Sequence, residues 1–505
     1  ATVSHGLSNT TIGAIGELSD EVYAAWNGSA SESPKLYKYN NTTDSWGSQL
    51  TTYGSGSANM IDQVTDTITW TATNGTTYLV FAHYDANGSG YSYSSNGTTW
   101  ITDTQDTKFL SVWDDRLWGI DESGQLWYIL TISGTPVNDA KLPVQDKYVT
   151  DLFVGRDATG QQIIYAATKT GLYAHDAFNQ RWVETQFQLP FHDFNGVGSV
   201  RWRDAIYTPS GLGIYKYVNG NNNAVVTVMG PDRDDGLPAA YRGTIKKMVG
   251  THTELIAAVD ATTAPGAQDS DDIPWQGGAT AGAPARSQNV IAASSGLSSI
   301  VAWNDQGWET KWVAPSAKAG KPVDTMHVTN AGKGDYRLWW GLDGQVYSQL
   351  IPFDVTNPSQ LSAADGTDYA YEASGTHETP WFDAQQSEVD KLAIKLKVEV
   401  QDASGDETVA VSYATDYSTS YTDLTTITST TLDASSGTQT FLLPSSASPV
   451  GVAFRSIKFK LTLVRGSDTS KSPDVVSISL EFRKKLDAKW GHAVEVDLNK
   501  TYKGN

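Results

Sequence analysis

The acidic segment Asp232-Arg233-Asp234-Asp235-Gly236 is the stretch whose residue types come closest to a metal-binding loop. A calcium loop of this kind needs a bidentate glutamate at a fixed distance downstream, and the sequence has none there. The acidic run at residues 269–272 lacks the same ligand. We therefore predict no metal site, with Asp232, Asp234 and Asp235 as weak candidates and solvated turn residues as the favoured interpretation.

Signatures of catalysis are missing from the sequence. Its eight histidines are scattered, and it contains no cysteine, which excludes thiol nucleophiles and Cys-ligated zinc. It has neither a Gly-x-Ser-x-Gly elbow nor a phosphate-binding Walker loop. A sialidase needs an arginine in its first blade to grip the substrate carboxylate, whereas the first arginine here is Arg116. We predict no catalytic residues, no cofactor and a protein that is not an enzyme.

Aromatic side chains are the remaining candidates for ligand contact. The chain has 17 tryptophans and 24 tyrosines, and sugar rings stack on aromatic faces that remain exposed. Burial in the core is the alternative role for each of them. The residues that we predict as sugar-binding candidates are Trp26, Tyr84, Trp275 and Trp340.

A repeated pattern indicates the elements that must position these residues. In residues 161–186 an apolar run, a Lys-Thr-Gly turn, a second run, a polar turn and a Trp-led run follow one another. That order is typical of one four-stranded β-propeller blade, which needs neighbours to bury its faces. Similar units recur at uneven spacing in residues 21–48, 68–102, 109–132, 199–228, 244–312 and 325–351. The pattern predicts a propeller of about seven blades, with six or eight possible.

Short polar turns closed by a tryptophan recur among these units. We predict that each such tryptophan fills the gap between two blades, because large aromatic side chains dominate protein cores. The closing residues are Trp46, Trp100, Trp182 and Trp308. Two segments interrupt the repeated strand-and-turn pattern, at residues 230–242 and 260–289. A long irregular segment inside a compact domain favours a functional loop, such as an arm to a neighbour or a lid.

The sequence changes character after residue 355. Apolar and polar residues alternate in residues 391–400, 409–413, 457–463 and 476–482, which predicts strands with one buried and one solvated face. Such strands form an antiparallel, jelly-roll-like β-sandwich. We expect an all-β chain divided into a propeller (1–355), a linker (356–374), a β-sandwich (375–486) and an extended tail (487–505).

The amino-acid composition of the chain restricts the classes of partner that we expect. The formal net charge is −20 and the isoelectric point is near 4.7, so we expect no nucleic-acid binding. No apolar run is long enough to span a bilayer, and we expect no membrane partner. The sequence starts Ala1-Thr2-Val3 without a methionine or a signal-like stretch, so we expect it to carry no leader.

The C-terminal part resembles domains at the ends of virion proteins from tailed bacteriophages. The resemblance covers residues 375–486 and is carried by HETPWFDA (377–384), EVDKLAIKLKVEV (388–400) and FRSIKFKLTLVRGSDTSKSPDVVSISLEFRKKL (454–486). It implies a non-enzymatic structural or attachment component of a tail or capsid surface, present in several symmetric copies. Its implied partners are other virion proteins and host surface glycans, and it implies no catalytic residues.

Two other functions stay open at this point. A secreted propeller glycoside hydrolase with a carbohydrate-binding sandwich would show hydrolysis that depends on a carboxylate of the central channel. A free propeller lectin would be a soluble monomer with reproducible sugar binding. We expect a virion location, with secretion as the alternative.

Overall fold

A computed structural model of the chain describes residues 3–4, 11–27, 34–50, 63–85, 88–143, 148–192, 194–210, 213–219, 225–230, 243–260, 297–305, 307–332, 336–351, 371–427, 438–445, 449–469 and 471–484. The chain forms two compact units, Ala1–Ala370 and Tyr371–Asn505. Across these ranges the regular elements are β-strands and one short 3₁₀ helix, η1 (Ser316–Lys318). No helix among them is long and apolar enough to cross a membrane.

The described residues of the first unit form seven four-stranded antiparallel sheets, the blades of a β-propeller. Blades 1 and 2 contain β2 (Thr11–Leu18), β3 (Glu21–Asn27), β4 (Lys35–Asn40), β5 (Ser45–Trp46), β6 (Val64–Thr71), β7 (Thr77–Asp85), β8 (Gly88–Ser94) and β9 (Ile101–Asp103). Blades 3 and 4 contain β10 (Phe109–Trp113), β11 (Arg116–Ile120), β12 (Gln125–Ile129), β13 (Val137–Lys141), β14 (Val149–Arg156), β15 (Gln162–Thr168), β16 (Gly171–Asp176) and β17 (Arg181–Gln188). Blades 5 and 6 contain β18 (Val200–Trp202), β19 (Ala205–Ser210), β20 (Gly213–Val218), β21 (Val225–Gly230), β22 (Thr244–Gly250), β23 (Leu255–Asp260), β24 (Ser299–Trp303) and β25 (Trp308–Val313).

Blade 7 takes its fourth strand from the other end of the propeller sequence. It consists of β26 (Val323–Thr329), β27 (Arg337–Leu342), β28 (Gln345–Leu350) and the short strand β1 (Val3–Ser4). Val3 lies opposite Ser348, and Ser4 lies opposite Tyr347. The first strands of successive blades contact one another, and those of blades 7 and 1 also meet. The ring is therefore closed both at its centre and at the outer edge of blade 7.

Alternate residues of each blade are buried against opposite neighbours. In β27, Trp339 packs with Ile12 of blade 1, while the adjacent Trp340 packs with Ile256 of blade 6. Each of the seven apolar clusters within the described part of the propeller joins two successive blades. A blade buries both faces only between two others, which is why the pattern has to recur.

The predicted role of the turn-closing tryptophans is confirmed. Trp100, Trp182 and Trp308 are buried and Trp46 is half-buried, and each belongs to a cluster between two blades. The turn before Trp100 is held by Asn96, whose Oδ1 accepts hydrogen bonds from the backbone N–H of Thr98 and Thr99 at 3.0 and 2.9 Å. Side-chain bonds of this kind stabilise tight turns without help from neighbouring strands.

The second unit is an antiparallel β-sandwich, as predicted. One sheet has the order β29 (Ser374–Glu378), β35 (Ile457–Val464), β31 (Thr408–Thr415), β32 (Thr422–Ile427). In the other, β30 (Lys391–Gln401) pairs with β33 (Thr438–Leu442), β34 (Val452–Phe454) and β36 (Asp474–Lys484). One apolar cluster lies between the sheets and includes Val398, Val411 and Phe459. Each sheet thus turns one side inward, which matches the alternation in its strands.

The prediction that buried and exposed residues alternate strictly was wrong in β30 and β36. The pairing of β30 with β36 shifts between Ala393 and Lys395 and again between Glu399 and Val400. The first bulge buries Ala393 completely and leaves Leu392 half-buried. The second brings Val475 to the core and leaves Val476 half exposed. One extra residue exchanges the buried and exposed faces for all later side chains of the strand. A simple alternating pattern in the sequence therefore cannot locate a bulge.

The structure describes the strands nearest to the predicted domain boundaries. The first sandwich strand begins at Ser374, at the predicted end of the linker, and the last strand ends at Lys484. Residues 352–370 of the linker region and the predicted tail at 487–505 lie outside the described residues, as do the irregular segments at 231–242 and 261–296.

Candidate functional site

The first strands of five blades share an irregularity near their beginning. Register shifts occur next to Gly13 in β2, Thr65 in β6, Thr150 in β14, Lys246 in β22 and Asp324 in β26. A bulge places two residues opposite one and re-aims their side chains, and bulges are frequent next to functional sites. All five of these residues line one central cavity.

This cavity occupies the centre of the ring at the face where the first strands begin, and we call it the channel mouth. Its volume is about 510 Å³. Four lysines and four carboxylates line it: Lys108, Lys169, Lys246, Lys247, Asp66, Glu122, Asp151 and Asp324. Turns between later strands add to the wall, with Glu122 between β11 and β12 and Lys169 between β15 and β16. The lining is therefore strongly polar while its formal charges cancel.

Lys247 joins two aspartates from other blades. Its Nζ lies 3.8 Å from Oδ1 of Asp66, whose Oδ2 accepts a hydrogen bond of 2.9 Å from the N–H of Leu110. Asp151 is buried and accepts a 2.8 Å bond from the N–H of Leu152. Removal from water raises the pKa of Asp66. Burial likewise raises the pKa of Asp151 to about 7, although the charge of Lys247 lowers it in part.

The pKa of Lys247 is raised by the negative charges beside it. Burial alone would lower it, but the charges of Asp66 and Asp151 outweigh that effect. The three side chains therefore form one coupled cluster that spans the channel. The cluster keeps its cation while Asp151 changes protonation near neutral pH.

Asp324 is a second channel-mouth acid whose pKa is raised. Its Oδ2 accepts a 3.1 Å hydrogen bond from the N–H of Ile12, which links blades 7 and 1. Burial raises the pKa of Asp324 to about 7, although the bond from Ile12 lowers it in part. Acids of this kind can change between donor and acceptor of hydrogen bonds close to neutral pH.

Aromatic rings and lysines border the mouth at its rim. Tyr84 donates a hydrogen bond to Glu122, and Lys108 lies 3.6 Å from the same carboxylate and 5.4 Å from the Tyr84 ring centroid. Burial lowers the pKa of Lys108, while the charge of Glu122 raises it in part. A second cavity of about 330 Å³ lies beside the mouth and shares Glu122 and Tyr148 with it.

The next part of the rim repeats this arrangement. Lys169 Nζ lies 5.1 Å from the ring centroid of Tyr148 and 5.5 Å from that of Phe191. Tyr148 is 42% exposed, so part of its side chain faces solvent. Lys246 lies 4.5 Å from the Phe194 centroid and 3.3 Å from Asp260. The rim thus offers ring faces beside ammonium groups.

The arrangement suits a hydroxyl-rich ligand better than a metal ion. Among the described residues no group of three or more His, Asp or Glu side chains could hold a metal. The lining instead alternates groups that donate and groups that accept hydrogen bonds, next to partly exposed rings. Both features bind sugars, whose hydroxyls donate and accept while their C–H faces stack.

The structure corrects two of the four predicted sugar-binding residues. Trp26 is 2% exposed and Trp340 is 0% exposed, since both pack between blades, so neither offers a face to a ligand. Tyr84 is half-buried and lies at the second cavity, where its role in binding stays a prediction. Trp275 and the weak metal candidates Asp232, Asp234 and Asp235 lie outside the described residues.

The charged residues of the channel mouth were missed from sequence. A signal did exist, since the same triplet, Val-Thr-Asp, opens the first strands of blades 2 and 4 at residues 64–66 and 149–151. Blade 6 has Ile245-Lys246-Lys247 at the equivalent position. A β-branched residue followed by two residues of the bulge is the shared pattern. It is too short to identify without knowing which strands lie at the centre.

No known protein family matches the sequence, and no curated protein matches it either. Several solved structures overlap it at low similarity. YCF48 from Cyanidioschyzon merolae has 9% identity and a TM-score of 0.44, over 70% of this chain and 100% of that one. An extracellular domain from B. thetaiotaomicron has 13% identity and a TM-score of 0.43, over 70% of this chain and 40% of that one. BBS1N in complex with ARL6DN has 14% identity and a TM-score of 0.41, over 70% and 95% of the two chains.

This chain therefore spans about two fifths of the length of the extracellular domain that it overlaps. Overlaps at this level add nothing to the sheet order, which by itself defines the fold of the described residues as a propeller followed by a sandwich.

Proposed function

We propose that the propeller recognises a glycan at the channel mouth, and that it does so without catalysis. The observation that carries the proposal is the cavity of about 510 Å³ with its equal numbers of lysines and carboxylates. Because the lining both donates and accepts hydrogen bonds, it suits the hydroxyls of an uncharged glycan better than a strong anion or cation. The exposed ring of Tyr148 supplies a stacking face at the rim.

The hydrogen bonds that three aspartates of the channel mouth accept support a role in ligand binding and not in hydrolysis. Asp66 accepts a bond from Leu110 and faces Lys247, Asp151 accepts from Leu152, and Asp324 accepts from Ile12. Each of these three aspartates is thus tied to the backbone of the scaffold. Groups held in this way provide fixed hydrogen-bonding positions, which is what selective recognition needs.

We further propose that the chain is a surface or tail component of a tailed-bacteriophage virion, in symmetric copies beside other virion proteins. Its support is the resemblance of residues 375–486 and the separate sandwich unit, which offers an anchor distinct from the propeller. Purified virions would test this part. Antibodies against the propeller should label the particle at a repeated position, and absence of the chain from washed particles would contradict it.

A glycoside hydrolase is the second candidate, since two acids of the channel mouth have pKa values near 7. Asp151 and Asp324 would be partly protonated at neutral pH, as a general acid must be. A panel of bacterial surface polysaccharides separates the two functions. Binding without release of reducing ends supports recognition, whereas hydrolysis that is lost in Asp151→Asn or Asp324→Asn would replace our proposal.

The binding proposal itself is tested on an array of the same polysaccharides. The wild-type chain should bind at least one uncharged glycan, and Tyr148→Ala should weaken that binding. If no glycan is bound, or if binding is unchanged by substitutions at the channel mouth, the proposal fails.

A further inference from the structure

The outer face of one sandwich sheet carries a continuous row of aromatic and lysine side chains. Its members, which we call the aromatic–lysine row, are Tyr417, Trp381, Lys458, Tyr421 and Lys460. Lys458 and Lys460 alternate along β35 with Ile457, Phe459 and Leu461, which face the core. The row is therefore on the side of the sheet that points away from the apolar core.

Each member contacts the next. The rings of Tyr417 and Trp381 have centroids 4.9 Å apart, and Lys458 Nζ lies 5.0 Å from the Trp381 centroid. Lys458 is also 5.2 Å from the Tyr421 centroid, as is Lys460. The contacts fix the order of the groups, with an aromatic end at Tyr417 and a cationic end at Lys460.

The aromatic end is presented to solvent by a well-held turn. Tyr417 is 63% exposed, and both Asp416 and Tyr417 have positive φ, at 52° and 62°. Oδ1 of Asp416 fixes this turn by accepting bonds of 2.7 and 3.1 Å from the N–H groups of Arg455 and Ser456. Two consecutive residues with positive φ reverse the chain sharply at this point. The turn holds the ring outward, so that a ligand loses little entropy in ordering it.

The cationic end has an excess of positive charge. Lys458 pairs with Glu378 at 3.0 Å, whereas Lys460 forms no ion pair with any described residue. Burial would raise the pKa of Glu378, but the hydrogen bond from Lys458 and the charges of Lys458 and Lys460 lower it. Two lysines thus face one carboxylate that stays ionised. This local excess lies in a chain whose formal net charge is −20.

We propose that the aromatic–lysine row is a second ligand site, distinct from the channel mouth, and that it binds an acidic saccharide. A sugar ring would stack on Tyr417, which Trp381 supports from behind, and a carboxylate of the saccharide would face Lys460. Sugars combine an apolar face with polar edges, and this row supplies partners for both. A packing role does not explain the row, since Trp381 and Tyr417 lie outside the sandwich core.

The proposal is tested with the full chain by affinity electrophoresis in gels that contain polygalacturonate, alginate, hyaluronate or polysialic acid, with dextran as a neutral comparison. At least one acidic polymer should retard the chain. Tyr417→Ala should weaken that binding about tenfold, the upper range for one aromatic contact. Lys460→Gln should weaken it several-fold at low salt and by less at high salt. Two variants serve as matched controls, Phe178→Ala for an exposed ring on the propeller and Lys471→Gln for an exposed lysine on the sandwich.

The other outcomes overturn the proposal. It fails if none of the four acidic polymers retards the chain, or if Tyr417→Ala and Lys460→Gln bind like the wild type. It also fails if Tyr417→Ala changes only the oligomeric mass in light scattering, because the row would then be a contact between protein copies. Tyr148→Ala, at the channel mouth, should leave binding of the acidic polymer intact, which separates failure here from failure of the propeller site.

Discussion

Lys247 and Asp66 form an ion pair across the central channel, with Nζ 3.8 Å from Oδ1. Lys247 belongs to blade 6 and Asp66 to blade 2, which are separated by blades 7 and 1 on one side and by three blades on the other. Such a pair connects parts of the ring that share no strand pairing. It can therefore contribute to the stability of the closed ring as well as to the polarity of the channel mouth.

Replacing Lys247 by methionine should destabilise the propeller at pH 8. The substitution leaves Asp66 and Asp151 near each other without their cation, and breaking a buried pair costs roughly 3–5 kcal/mol. Lys247 is 32% exposed, so we expect a smaller loss, about 2 kcal/mol in the free energy of unfolding by denaturant. Lys38→Met, which breaks an exposed pair with Glu21, should cost less than about 1 kcal/mol. Equal losses in the two variants would contradict a special role for the cross-channel pair.

Stability should rise as the pH falls from 8 to 6.5. Asp151 and Asp324 have pKa values of about 7 in the folded protein and an ordinary value of 3.8, so the folded state binds more protons in this window. Stability is then lost as the pH rises through 7, by about 1 kcal/mol for each group. Thermal unfolding at several pH values measures it. The window stops at pH 6.5 because His83 acts in the opposite direction below that pH. Burial lowers the pKa of His83 from its ordinary value of 6.5 to about 4, so its contribution reduces stability as the pH falls below 6.5.

The double variant Asp151→Asn, Asp324→Asn is the control for this pH dependence. It should flatten the change in Tm between pH 8 and 6.5, because neither amide titrates. An unaltered slope in the double variant would assign the effect to other groups.

Removing residues 1–6 should lower the Tm of the propeller. The deletion takes away β1, so the outer edge of β28 loses its backbone partners and the ring loses the junction between the first and last parts of the propeller sequence. A synthetic peptide of residues 1–10 should restore part of the lost stability in a concentration-dependent way. The double substitution Val3→Thr, Ser4→Thr keeps strand propensity and should leave Tm nearly unchanged. A truncated chain as stable as the full one would show that this strand is dispensable.

Tyr148→Ala should weaken glycan binding at the channel mouth about tenfold with little change in Tm. The ring is 42% exposed, so its loss removes a stacking face and little of the core. Isothermal titration with the polysaccharide identified on the array gives both affinity and stoichiometry. Phe178→Ala, on an exposed turn away from the cavity, should bind normally. A large drop in Tm for Tyr148→Ala would indicate a structural role instead.

Trp340 should behave as a core residue and contribute nothing directly to ligand binding. Its ring stacks on Tyr347 at 5.8 Å and lies 5.1 Å from Trp312, with no exposed surface. Trp340→Ala should cost roughly 3–5 kcal/mol of unfolding free energy, as is usual for a large aromatic removed from a core. Trp340→Phe should retain most of that stability and bind glycan like the wild type. Loss of binding in the folded Trp340→Phe variant would contradict its assignment to the core.

The blade pattern was visible in the sequence because strand and turn signals are local. Asn96 shows this, since its side chain holds the turn that brings Trp100 back into the sheet and both residues can be read within one short segment. The alternation of Ile457, Phe459 and Leu461 fixed the inner face of β35 in the same way. Signals of this kind depend on bonds between residues a few positions apart.

The functional surfaces depended on contacts between distant parts of the chain. Trp26 and Tyr148 are both aromatic, yet the packing of blades 7 and 1 buries the first while the second borders the channel mouth. Bulges aim Asp66 and Lys247 into the channel, and a bulge also decides that Val475 and not Val476 faces the sandwich core. The sequence by itself determined the strands, their turns and the two kinds of domain. Only the tertiary structure decided which side chains are exposed, because exposure depends on which blades and strands meet.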